Sequence, residues 1–110
     1  MNETIATAIK YQKEAYNRHI EELFQIVEEK IILCSKRGMK TTLITEHDFC
    51  NADATYLRSV YANNIDRFAT ELAEHLEINE DLIKKVYSRR VTKERKVIGI
   101  YINWGEANDK

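Results

Sequence analysis

The sequence contains no proline and only three glycines in 110 residues. Average usage would supply about five prolines at this length, so the commonest helix breakers are missing and long regular elements are favoured over loops. Cysteine is scarce too. Cys34 and Cys50 stand alone, which excludes a dense disulfide scaffold and fits two free thiols of the buried, apolar kind in a reducing compartment. Long apolar runs are also lacking. The longest aliphatic-and-cysteine stretch is Ile31, Ile32, Leu33 and Cys34, against the roughly 20 residues needed to span a bilayer. No segment is expected to cross a membrane. The start Met1-Asn2-Glu3-Thr4 has neither the basic residues nor the apolar stretch of a secretory signal, so the expected compartment is the cytoplasm.

What is present suffices for one folded unit. Hydrophobic residues make up 44% and charged residues 32%, enough apolar surface to offset chain entropy and too much for intrinsic disorder. A single domain over residues 1–110 is expected, with one core and no linker.

From Asn2 to about Arg37 no breaker occurs. Apolar residues step by seven at Ile9, Tyr16 and Leu23 and again at Ile20, Val27 and Cys34, with Phe24 and Ile31 widening the seam into a helical face. Lys36 and Arg37 followed by Gly38 form a stop signal, with basic residues in the last turn and then the residue best suited to a left-handed backbone. A helix of about 35 residues is about 50 Å long, whereas a compact 100-residue domain has a radius of gyration near 13 Å. One end must therefore project. The amino-terminal end is the candidate, and its Ile5, Ala8, Ile9 and Tyr11 make packing on a second copy of the chain the expectation, against a frayed or bent helix in a monomer.

Met39 to Thr45 reads as a strand because Thr41, Thr42, Ile44 and Thr45 are β-branched. Glu46 to Asn51 reads as a loop. Asn51 or Asp53 is placed to cap a second helix reaching about Glu77, with Leu57, Tyr61, Ile65, Phe68, Leu72 and Leu76 on its apolar face and Asn63-Asn64 as a point of kinking or division. The remainder reads as a hairpin turning near Thr92 to Arg95. In its second arm Ile98, Ile100, Ile102 and Trp104 alternate with Gly99, Tyr101 and Asn103, the mark of a strand with one buried face. The first arm is open between two readings, since Asn79-Glu80-Asp81 also resembles a helix start and Leu82 to Tyr87 fits either a strand or a short helix. Gly105 to Lys110 reads as a tail. The expected fold is α+β: a long N-terminal helix and a second helix packed on one face of a small three-stranded sheet with a C-terminal β-hairpin.

A net charge of -1 conceals a strong asymmetry. Between Lys84 and Lys96 seven basic residues face the single Glu94, a net of +6, which leaves the rest of the chain at -7. The candidate binding residues are Lys84, Lys85, Tyr87, Arg89, Arg90, Lys93, Arg95 and Lys96. Arg89 and Arg90 carry planar guanidinium forks suited to one phosphate, and Tyr87 carries a ring on which a base can stack. The competing reading is a solvated edge that deters sheet-to-sheet pairing, or cations paired with the body's own acids.

Other chemistry is thin. Glu46, His47, Asp48 and Cys50 crowd one loop, but their spacing matches no zinc pattern and no metal site is expected. His75 stands one turn after Glu71, a spacing suited to a surface ion pair. Gly38-Met39-Lys40-Thr41-Thr42 lacks the leading glycine of a phosphate loop and follows a helix instead of preceding one. No dinucleotide fingerprint or nucleophile elbow is present. No cofactor is implied, and an enzyme is not expected.

Three short marks carry a resemblance: Lys36-Arg37-Gly38 closing the long helix, the β-branched run Thr41 to Thr45, and the ending Ile102-Asn103-Trp104. The layout resembles a loose class of small bacteriophage-encoded accessory proteins. It departs from that class in its long basic stretch and in Tyr101 before the isoleucine-tryptophan ending. The resemblance implies a non-enzymatic protein, in the host cytoplasm, that binds a host defence or regulatory factor; it transfers no catalytic residue. The expected partner is an anionic protein or a nucleotide, with nucleic acid bound by the hairpin as a β-ribbon as the alternative.

Overall fold

An uninterrupted helix, α1 (Glu3–Lys36), opens the chain in the computed structural model, which describes residues 2–49, 55–87 and 97–105. Its first turn is closed by Asn2, whose Oδ1 accepts the Thr4 amide at 2.7 Å and so satisfies one of the orphan donors at a helix start. Its last turn is closed by the glycine the sequence pointed to. Gly38 has φ +84°; the Gly38 amide donates to Ser35 O and the Met39 amide to Cys34 O, each at 3.0 Å. This paired closure satisfies two carbonyls and needs a residue without a Cβ at the left-handed position.

The strand β1 (Thr41–Thr45) starts two residues later than its composition implies. Met39 and Lys40 belong to the turn: the Met39 amide caps α1, and the Lys40 carbonyl accepts the Trp104 and Gly105 amides at 3.1 and 3.2 Å. The segment expected as a loop forms a 310 turn over Glu46–Phe49 that buries Phe49. Asp48 fixes it by accepting the Thr45 amide at 2.8 Å.

The second helix is divided, as its two asparagines imply, into α2 (Thr55–Asn63) and α3 (Ile65–Leu76). Asn64 makes the break by leaving helical geometry, with φ -134°, and its Nδ2 donates back to Val60 O at 2.8 Å. The proposed caps Asn51 and Asp53 lie outside the described residues. At the far end Glu77 adopts a left-handed backbone, with φ 56° and ψ 41°, a position where sequence gives no glycine to announce it.

The first hairpin arm is a strand from Ile83 to Tyr87, and the helix start before it yields no more than one turn. Asn79 accepts the Asp81 amide at 3.0 Å and starts a 310 turn, Glu80–Leu82, that runs directly into β2 (Ile83–Tyr87). The last strand is β3 (Val97–Asn103). The predicted turn at Thr92 to Arg95, and Val91 before it, lie outside the described residues, as do residues 106–110 of the tail.

The strands form one antiparallel sheet in the order β1-β3-β2. Ile102 stands between Thr42 and Ile83, and Tyr101 between Leu43 and Lys84. Thr42, Ile44, Ile83, Ile100 and Ile102 are buried, which places both helical layers on that face. The alternation fails at one point. Val86 pairs with Gly99 but Tyr87 with Val97, so Ile98 is an extra residue in β3, and this bulge turns Ile98 out to 46% exposure instead of leaving it in the core. Trp104 is half-buried and packs against the core.

One hydrophobic cluster gathers residues of all three helices, all three strands and the 310 turn at Phe49. Its centre is aromatic: Phe49 and Tyr61 lie 4.5 Å apart between ring centroids, and Phe68 meets Tyr61 edge-on at 5.6 Å, geometries favoured by ring quadrupoles. The Tyr61 hydroxyl donates to Ile44 O at 2.6 Å, tying α2 to β1. The fold is therefore α+β, with the long helix and the divided helix on one face of a three-stranded sheet that ends in a β2–β3 pair. Among the described residues, no helix is long and apolar enough to cross a membrane.

Candidate functional site

The basic stretch begins inside β2, and strand alternation splits its first residues between the two faces of the sheet. Lys85 shares the helical side with Ile83, and its Nζ reaches Asp66 Oδ1 on α3 at 2.6 Å. That hydrogen bond, more than any other cause, raises the Lys85 pKa above its ordinary value. The cation is thus matched by a carboxylate of the chain itself, the pairing with the body's own acids that the competing reading expects for this residue. Both groups are well exposed, so the pair contributes only about 0–1 kcal/mol to stability.

Lys84 points the other way. It is exposed on the face that no described helix covers, and it makes no ion pair with any described residue. Next to it across β3 stands Tyr101, 37% exposed, and beyond that Leu43 on β1, 40% exposed. Cross-strand neighbours lie about 5 Å apart, so Leu43, Tyr101 and Lys84 make a row about 10 Å wide. Thr45, Gly99 and Val86 form the next row, and Thr41 and Asn103 the row beyond. No residue of these outer rows is acidic, in a chain with 18 Asp and Glu. Tyr87 ends β2 with 46% of its surface exposed. Arg89, Arg90, Lys93, Arg95 and Lys96 lie outside the described residues; sequence places them between the two strands of this pair.

The hairpin arms thus bring Lys84 and Tyr101 together and send Lys85 elsewhere. Sequence reasoning did not single out Leu43 or Tyr101 as contact residues. Parity along β3 held the signal: Tyr101 must face opposite Ile100 and Ile102.

The remaining polar clusters tie the scaffold. Lys30 on α1 donates to Leu43 O at 2.6 Å and to Asp48 Oδ1 at 2.7 Å, fixing the turn after β1. Tyr16 is fully buried and donates its hydroxyl to Glu71 on α3; Arg67 lies over its ring at 4.3 Å and donates to Glu71 Oε1 at 3.0 Å and to Asn17 Oδ1 at 2.7 Å. Burial first, then Glu71, pushes the Tyr16 pKa far above its usual value. Glu71 is therefore occupied by Tyr16 and Arg67, and His75, expected beside Glu71, bonds Glu28 of α1 and stacks on Phe24 instead. His19 bonds Glu22 at 3.1 Å and packs beside Tyr56.

The crowded loop is likewise spoken for, with Glu46 paired to Arg58 at 2.7 Å and Asp48 to Lys30. A hollow of about 340 Å³ opens there, lined by Thr45, Glu46, His47, Ala62, Val97 and Ile98. Among the described residues no three His, Cys, Asp or Glu are grouped to hold a metal ion. Cys34 is a free, buried thiol whose Sγ lies 3.6 Å from Thr42 Oγ1; Cys50 lies outside the described residues. No protein-family model matches this chain, nor does any curated protein or solved structure.

Proposed function

We propose that this protein acts by binding and not by catalysis, and that its β2–β3 pair presents a basic contact to an anionic partner. The observation that carries this reading is the position of Lys84, exposed on the outer face of the sheet and in no ion pair with a described residue, at the head of a stretch with a net charge of +6. Three of the chain's acids pair elsewhere: Asp48, Asp66 and Glu71 all meet cations on the helical side. Charge separated in this way attracts a negative surface and repels a second positive one. The resemblance to small phage accessory proteins points to a host factor as the partner.

The same reading makes a second copy of the chain the occupant of the projecting end of α1. Residues 2–14 are all exposed, and Ile5 and Ile9 continue the seam that Tyr16, Leu23 and Val27 bury. A helical stretch of about 12 residues without tertiary support is marginal in water, so a pair of such ends supporting one another accounts for a seam that outruns its own core.

The basic contact is tested on phosphocellulose and heparin columns. The protein is expected to bind both at about 50 mM salt and to leave them by about 200 mM, as counterion release requires. A variant with Arg89, Arg90, Lys93, Arg95 and Lys96 all changed to Gln is expected to pass through. Passage of the unaltered protein through both columns at low salt defeats the reading.

A further inference from the structure

Resting on that reading of the basic contact, we infer that the uncovered face of the sheet is a platform for single-stranded nucleic acid, with the Tyr101 ring stacking on a base and Lys84 meeting the adjoining phosphate. Three observations converge on this ligand. The first is the central position of Tyr101, flanked across the sheet by Leu43 and Lys84. An aromatic ring in the middle of an exposed sheet face is an arrangement on which unpaired bases stack, because every base offers a π-face. The Tyr101 hydroxyl has no hydrogen-bond partner among the described residues, none of which holds the ring away from a ligand.

The second observation is charge. The outer rows carry Lys84 and no carboxylate, and β2 continues from Lys84 toward six further basic residues before β3 begins. A polyanion laid across Tyr101 therefore meets no like charge on the sheet. The third is the polar lining beyond the central row. Thr41, Thr45 and Asn103 stand on the same face, and their hydroxyl and amide groups can both donate and accept, as recognition of exposed base edges demands. A duplex offers no unstacked base to Tyr101.

The decisive measurement is fluorescence anisotropy with labelled oligouridylate, labelled oligothymidylate and a labelled DNA duplex at low salt. Single strands are expected to bind more tightly than the duplex, and the ratio of uridylate to thymidylate affinity reports whether the ribose hydroxyl is read. Tyr101→Leu, which keeps an apolar side chain on the strand but removes the ring, is expected to weaken single-strand binding about tenfold, and Tyr101→Phe to restore it. Lys84→Gln is expected to lower the slope of log affinity against log salt by about one. Circular dichroism of each variant, matching the unaltered protein, assigns the losses to the surface. Equal affinity for duplex and single strand, or unaltered binding by folded Tyr101→Leu, overturns the inference. Retention on phosphocellulose with no single-strand binding overturns it while leaving the broader reading intact, whereas failure of both removes both.

Discussion

Gly99 is the residue whose side chain matters most by being absent. A Cβ built at this position would lie 2.7 Å from the Ile44 carbonyl oxygen, backbone that cannot swing aside as a flexible side chain can. Position 99 also follows the bulge at Ile98, where the strand changes direction. Gly99→Ala is expected to destabilise the fold by about 1–3 kcal/mol through forced backbone displacement, read as a lower denaturant midpoint. A midpoint unchanged from the unaltered protein would show that β1 and β3 separate freely at this point. Lys84 and Lys85 make a second lesson at the same scale. Neighbours in sequence with identical chemistry, they differ in role because strand parity points one at Asp66 and the other at solvent. Sequence marked both as candidates, and only the register decides between them.

At the scale of elements, α1 was legible almost to the residue. Its cap Asn2, its seam and its stop at Gly38 are local signals that need no tertiary partner. The last strand was legible in part, since Ile100 and Ile102 obey the alternation and Ile98 escapes it through a bulge beside Gly99, a residue type that often marks such a site. The ending of α3 was harder, because Glu77 takes a left-handed backbone usually given to glycine. The projecting end of α1 carries the element-scale prediction. Changing both Ile5 and Ile9 to Lys places like charges on the exposed seam without touching the core, which begins at Tyr16. Light scattering is expected to show the mass falling from about twice to about once the 12.9 kDa of one chain, with the thermal transition of the core kept. A mass of one chain for the unaltered protein at high concentration rules out the pairing.

For the molecule as a whole, two buried tyrosines link stability to alkaline pH. Tyr16 and Tyr61 are fully buried, and burial first, then the carboxylates of Glu71 and Asp48 respectively, hold both hydroxyls protonated well above the usual tyrosine range. In the unfolded chain the same groups ionise near pH 10 or so. Above about that pH the folded state therefore binds more protons than the unfolded one, so stability is fully kept below about pH 10 and falls as pH climbs further. Ultraviolet titration is expected to show these two ionisations arriving together with loss of helical circular dichroism. Complete tyrosine ionisation with the helices intact would contradict the buried network.

The chain's length of 34 helical residues in α1 sets another molecular property, a radius of gyration of 15.4 Å, above the roughly 13 Å of a compact 100-residue domain. That elongation follows from sequence, because an unbroken seam with caps at both ends depends only on neighbours three and four residues apart. Element types, the division at Asn64 and the concentration of positive charge after Lys84 are likewise local or compositional, and the amino-acid sequence determined them. The partner of each side chain was decided only in three dimensions. Lys85 meeting Asp66, His75 meeting Glu28 instead of Glu71, and Leu43, Tyr101 and Lys84 sharing one row all join residues distant in the chain. Such contacts depend on strand order, register and a single extra residue in β3, and a one-residue shift in any of them sends every affected side chain to the opposite face.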